Sequence, residues 1–85
     1  MDKSIRSVDH QRLCALLRQI RDEAGLTQDQ VAARLSEPQS FVSKYESGER
    51  RLDLIELRQV AVVLGTNLTE VVEQFERATG HRPRL

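Results

Sequence analysis

Tryptophan is absent from this 85-residue chain, which has one tyrosine and two phenylalanines. A core without large aromatics must be built from Leu, Val, Ile and Ala, and such cores suit packed helices. There is one cysteine, Cys14. It excludes an internal disulfide framework and makes no metal site without further ligands. Cys14 sits among apolar residues, so the expectation is a small core side chain. No apolar run approaches the roughly 18 residues of a membrane-spanning helix, and no apolar run follows Met-Asp-Lys-Ser-Ile-Arg at the start. The expected compartment is the cytoplasm, with no membrane partner. There is also no net charge, with 13 basic and 13 acidic residues. That balance argues against tight non-specific binding to a polyanion, although cations gathered on one face still create a local field.

What is present is helical periodicity. Five helices are expected, in an all-α bundle without strand alternation, repeats or low-complexity tracts. The first runs from about Asp9 to Ala24, with Leu13, Leu17, Ile20 and Ala24 on one face, Asp9 as N-cap and Gly25 beyond the end. The second opens at Thr27, with Gln30 completing a capping box, and turns Val31, Ala32 and Leu35 inward. Ser36, Glu37 and Pro38 stop it. The third covers Gln39 to about Glu46, with Val42 and Tyr45 inward and Gly48 past its end. A basic loop of residues 49–52 follows. Asp53 with Glu56 caps a fourth helix, whose stripe reads Leu54, Leu57, Ala61 and Leu64, closed by Gly65. Asn67 with Glu70 caps a fifth, carrying Leu68, Val71, Val72, Phe75 and Ala78 and ending at Gly80. The resulting division is an N-terminal arm (1–8), one domain (9–79) and a polar C-terminal tail (80–85).

Helices two and three are short, joined by three or four residues, and place small Ala32 where two helices must approach closely. That spacing suits a helix-turn-helix. On helix three Val42 and Tyr45 face in, while Gln39, Ser40, Ser43 and Lys44 face out. The outer four are short or amide-bearing side chains suited to hydrogen bonds with base edges. Glutamine pairs bidentately with adenine, lysine donates to guanine and serine is permissive. A purely structural surface helix would carry more complementary Glu and Lys pairs, yet a solvated polar face fits the same residues.

The segments Thr27-Gln28-Asp29-Gln30-Val31-Ala32 and Pro38-Gln39-Ser40-Phe41-Val42-Ser43-Lys44-Tyr45-Glu46-Ser47-Gly48-Glu49-Arg50 closely resemble the phage repressor/Cro-like (XRE) helix-turn-helix family. The likeness continues through Gly25-Leu26, Leu54, Glu56, Leu57, Ala61 and Leu64-Gly65, covering roughly residues 10 to 78. The resemblance implies a DNA-binding regulator of transcription whose third helix enters the major groove, with Gln39, Ser40, Ser43 and Lys44 facing base edges. It implies phosphate contacts from Thr27 and Gln28 at the start of helix two and from Arg50 and Arg51 in the following loop. It also implies an ion pair between Arg21 and Glu46 that sets the angle of helix three. Two departures stand out. Many relatives have glycine where this chain has Ser36, and many have a serine or threonine cap where it has Pro38, leaving Ser36 or Glu37 to cap. Phe41 has two readings, a cover over the junction with helix two or a contact to DNA sugar or a thymine methyl.

No enzyme is expected: His10, His81 and Cys14 are scattered, and no glycine-rich phosphate loop follows a strand. No cofactor, metal or small-molecule ligand is implied. The competing reading is an antitoxin or protein-interaction subunit reusing the same fold. Ile55, Val62, Val72 and Phe75 exceed what helices four and five need to pack on their own domain, so a homodimer interface is expected there. The resemblance agrees, because small repressors of this kind commonly bind pseudo-palindromes as dimers.

Overall fold

The computed structural model of the protein describes residues 7–80. They form five helices, α1 (Val8–Glu23), α2 (Gln28–Leu35), α3 (Gln39–Ser47), α4 (Leu54–Val63) and α5 (Leu68–Thr79). The expected all-α bundle is what the chain adopts. The arm expected over residues 1–8 lies largely outside the described residues, as do His81 and the tail beyond Gly80. Helix α1 starts earlier than expected. Ser7, not Asp9, is the N-cap, its hydroxyl accepting from the backbone N–H of His10 at 3.0 Å. Asp9 instead lies in the first turn, where its charge favours the positive helix end.

The core gathers Leu16, Leu17 and Ile20 from α1, Val31 and Ala32 from α2, Val42 and Tyr45 from α3, Val60, Ala61 and Leu64 from the α4 segment, and Val71 from α5. Cys14 is buried as well, as a small core residue. Burial pushes its thiol up from the usual range, so it is held as a neutral thiol. On α4 the inward stripe is Leu57, Val60, Ala61 and Leu64. Leu54, expected inward, is 64% exposed. It stands at the edge of the apolar arc in the first turn, where no other described element covers it, and Val60, one turn after Leu57, completes the inward stripe instead. On α5 only Val71 is fully buried, and Phe75 packs half-buried against the core.

Four helix ends use a left-handed glycine to turn the chain, at Gly25, Gly48, Gly65 and Gly80. The exception is α2, where the left-handed residue is Ser36, with φ 58°. There the Ser36 N–H donates to the Ala33 carbonyl at 3.1 Å and the Glu37 N–H to the Ala32 carbonyl at 2.9 Å. This two-bond closure satisfies the last carbonyls of α2 and aims the chain into α3. A side chain in the left-handed region costs roughly 1–2 kcal/mol. Glycine avoids that cost but loses about 0.5–1 kcal/mol through its more mobile unfolded chain. Ser36→Gly is therefore expected to raise stability by ~0.5–1 kcal/mol without changing the fold, read as a higher denaturant midpoint. A lower midpoint would contradict this view of the turn.

Candidate nucleic-acid interface

Helix α2 opens with the expected capping box: Thr27 Oγ1 accepts from the Gln30 N–H at 3.1 Å, and the Thr27 N–H donates to Gln30 Oε1 at 2.9 Å. Helix α3 opens differently. Pro38 is the N-cap and supplies no side-chain bond, so neither Ser36 nor Glu37 caps it. The first turn of α3 thus carries the exposed Gln39 and Ser40 with no side-chain cap, while the Phe41 N–H donates to the Pro38 carbonyl at 2.9 Å. Lys44 is exposed on the same helix and Ser43 is half-buried, while Val42 and Tyr45 hold the other face in the core. All four side chains assigned to base edges therefore lie on α3, with only Ser43 partly covered.

Behind this face runs a hydrogen-bonded chain of four side chains. Arg21 of α1 and Glu46 of α3 are paired through two bonds, Nε to Oε2 at 2.6 Å and Nη2 to Oε1 at 3.0 Å. The Arg21 side chain is only 10% exposed and that of Glu46 5%. A third bond, Arg21 Nη1 to the Leu26 carbonyl at 2.9 Å, ties the pair to the loop before α2. The carboxylate holds the Arg21 guanidinium pKa above its already high ordinary value. Gln28 then donates from Nε2 to Glu46 Oε1 at 2.9 Å, and its Oε1 accepts from Gln39 Nε2 at 2.5 Å. The expected ion pair is formed, and it leads into the start of α3.

The direction of that chain fixes chemistry. An ionised carboxylate only accepts, so Gln28 must turn its NH2 group toward Glu46 and its carbonyl oxygen toward Gln39. Gln39 must then turn its own NH2 group toward Gln28. It keeps one N–H and its Oε1 for an outside partner.

The loop after α3 departs from expectation at Arg50. Its guanidinium bonds bidentately to Glu56, Nη1 to Oε1 at 3.1 Å and Nη2 to Oε2 at 2.9 Å, and donates to the Arg51 carbonyl. It also lies 4.6 Å above the centroid of the Phe41 ring. Arg50 is thus engaged by its own chain although its side chain stays 39% exposed, and Arg51 is the more exposed of the two. Phe41 is half-buried, edge-on to Tyr45 at 5.7 Å between centroids, so it covers the junction and supports Arg50. Burial also pushes the Tyr45 phenol up, well above its ordinary value.

Glu56 was expected only as a cap; the same carboxylate also takes Arg50. A charged residue six positions before an N3 glutamate was the available signal. The Arg50 bond, followed by the Asp53 N–H, pulls the Glu56 pKa down. A lowered folded value means the ion pair stabilises the fold above the unfolded carboxylate pKa of about 4.3 and loses that effect as pH falls through the folded value. Glu56→Gln should therefore be less stable than the wild type at neutral pH, with the two converging in acid. Parallel unfolding curves at several pH values read this directly, and a gap that persists in acid would refute the pair's role.

No group of three or more His, Cys, Asp or Glu among the described residues is arranged to hold a metal ion, and no described helix is long and apolar enough to cross a membrane.

A helix-turn-helix family model matches residues 17–71. Over 53 residues the chain is 40% identical to an uncharacterized HTH-type transcriptional regulator, y4dJ, of Sinorhizobium fredii; the match covers 62% of this chain and 69% of that protein. Among solved structures, an XRE-family like protein from Pseudomonas syringae pv. tomato is 45% identical, with a TM-score of 0.78 over 84% of this chain and 87% of that one. A restriction-modification controller protein shares the fold at 21% identity, with a TM-score of 0.80 over 91% and 98% of the two chains. The fold, the α2–α3 pair and these matches together place the chain in the XRE-like helix-turn-helix family.

Proposed function

We propose that the protein is a sequence-specific, non-enzymatic DNA-binding regulator of transcription, acting in the cytoplasm as a homodimer on a pseudo-palindromic operator. The observation that carries this reading is the oriented side-chain chain ending at Gln39. An amide offering one N–H and one carbonyl oxygen from the start of α3 complements adenine, which presents an N7 acceptor and an N6 donor in the major groove. Ser40, Ser43 and Lys44 supply the neighbouring contacts. Thr27 and Gln28 at the start of α2, with Arg51 in the loop, hold the phosphates. Arg50 acts mainly by fixing that loop on Glu56 and Phe41, and reaches phosphate only by leaving Glu56.

The dimer follows from apolar surface that the fold leaves uncovered. Ile55 is 51% exposed, Val62 63% and Val72 42%. Phe75 belongs partly to the core, so its contribution to an interface is smaller than the sequence count implies. Two recognition helices joined rigidly read half-sites about 34 Å apart on one face of a duplex. Selection from a pool of random duplexes at physiological salt tests the reading. It should return an inverted repeat with half-sites about one turn apart. Recovery of no preferred sequence would favour an interaction subunit that reuses the fold.

A further inference from the structure

The cations and anions of the described residues do not all find partners within one chain. Arg18 pairs with Asp22, Arg21 with Glu46, Arg50 with Glu56 and Arg77 with Glu70. Among the described residues Arg34 and Arg58 form no ion pair, and neither do Glu73 and Glu76. The two arginines flank a groove of about 440 Å³ between the last turn of α2 and the outer face of α4, floored by Leu35, Val62 and Val63. Arg34 leans across it, Nη1 lying 3.4 Å from the Val63 carbonyl. This groove is at the far end of α2 from Gln28, so its charges are not placed to hold phosphates near α3. On α5, exposed Val72 sits beside Glu73 and one turn before Glu76, which makes an acidic ridge with an apolar residue in it.

We propose that the groove between α2 and α4 of one protomer receives the Val72–Glu73–Glu76 ridge of α5 from a second copy, with Arg58 facing Glu73 and Arg34 facing Glu76. The inference rests on the dimer reading above and adds its register. A twofold interface brings the same patch together from both subunits, so a chain that carries both the basic groove and the acidic ridge is self-complementary and makes each contact twice. The charges match in sign and number, the apolar residue of the ridge meets an apolar floor, and the overall charge balance of 13 against 13 imposes no net repulsion between copies.

Sedimentation equilibrium of the full chain tests this, using Arg58→Glu and Glu73→Arg alone and mixed. Each single variant places like charges opposite each other twice and should weaken dimerisation roughly 10- to 100-fold, with helicity unchanged by circular dichroism. An equimolar mixture should associate like the wild type, because Glu at 58 then faces Arg at 73 in one contact and the native pair restores the other. Arg34→Glu with Glu76→Arg repeats the exchange on the second pair should either variant fail to fold. Single variants that dimerise as the wild type does, or a mixture as weak as its components, would overturn the register while leaving the dimer intact. A wild type that stays monomeric, free and on its selected DNA, would end both.

Discussion

Arg21→Met should cost about 3–5 kcal/mol of stability, more than any other single substitution proposed for this chain. The reason is what the change leaves behind. Glu46 would keep a buried carboxylate with only the Gln28 amide bonded to it, and an uncompensated buried charge is far costlier than a pair is favourable. A small domain has ~5–15 kcal/mol to lose, so such a variant would sit near its unfolding threshold. Replacing both partners, Arg21→Met with Glu46→Gln, should be milder than either alone, since no orphan charge remains. Denaturant unfolding of the four proteins gives the coupling energy. A coupling near zero would mean that the pair is incidental to the fold. The DNA-binding consequence is separable: the milder double variant should fold yet bind its site less well, because Gln28 and Gln39 lose the carboxylate that sets their direction.

Gln39→Ala should cost roughly 1–3 kcal/mol of binding on the preferred sequence and relax preference at one position of each half-site. The loss should be confined to one base, because the phosphate contacts proposed for Thr27, Gln28 and Arg51 would remain. Arg51→Ala makes the contrast. It should weaken all sequences alike and lower the salt slope by about one. Fluorescence anisotropy with matched and mismatched duplexes across a salt series separates the two behaviours. Equal losses on every sequence for Gln39→Ala would mean that α3 meets the duplex in another orientation.

The sequence carried the positions of these helices well because their boundaries are local chemistry. Thr27 with Gln30, Asp53 with Glu56 and Asn67 are capping signals whose geometry involves only residues three apart, and the glycines that end four helices mark left-handed turns that side chains avoid. The N-terminal boundary was harder, since Ser7 and Asp9 are both competent caps two residues apart. What local spacing missed depends on partners outside the stretch. Leu54 has the right spacing for the α4 stripe, and only the extent of neighbouring elements decides that it faces water. Arg50 reads from sequence as a phosphate ligand, and only the fold brings Glu56 and the Phe41 ring beside it. The link from Glu46 through Gln28 to Gln39 joins residues 18 and 11 positions apart. The family likeness supplied the Arg21–Glu46 pair, but nothing in spacing alone predicts that the same carboxylate orients the first side chain of α3.

If Gln39, oriented through Gln28 by Glu46, reads a base from the start of α3, parallel selection from one random duplex pool with the wild type and with Gln39→Ala will show it. The wild type should return an inverted repeat with an A·T pair at one symmetric position, and the variant the same repeat with that position alone degenerate. An unchanged motif in the variant, or no enriched motif with the wild type at physiological salt, would contradict that role for Gln39.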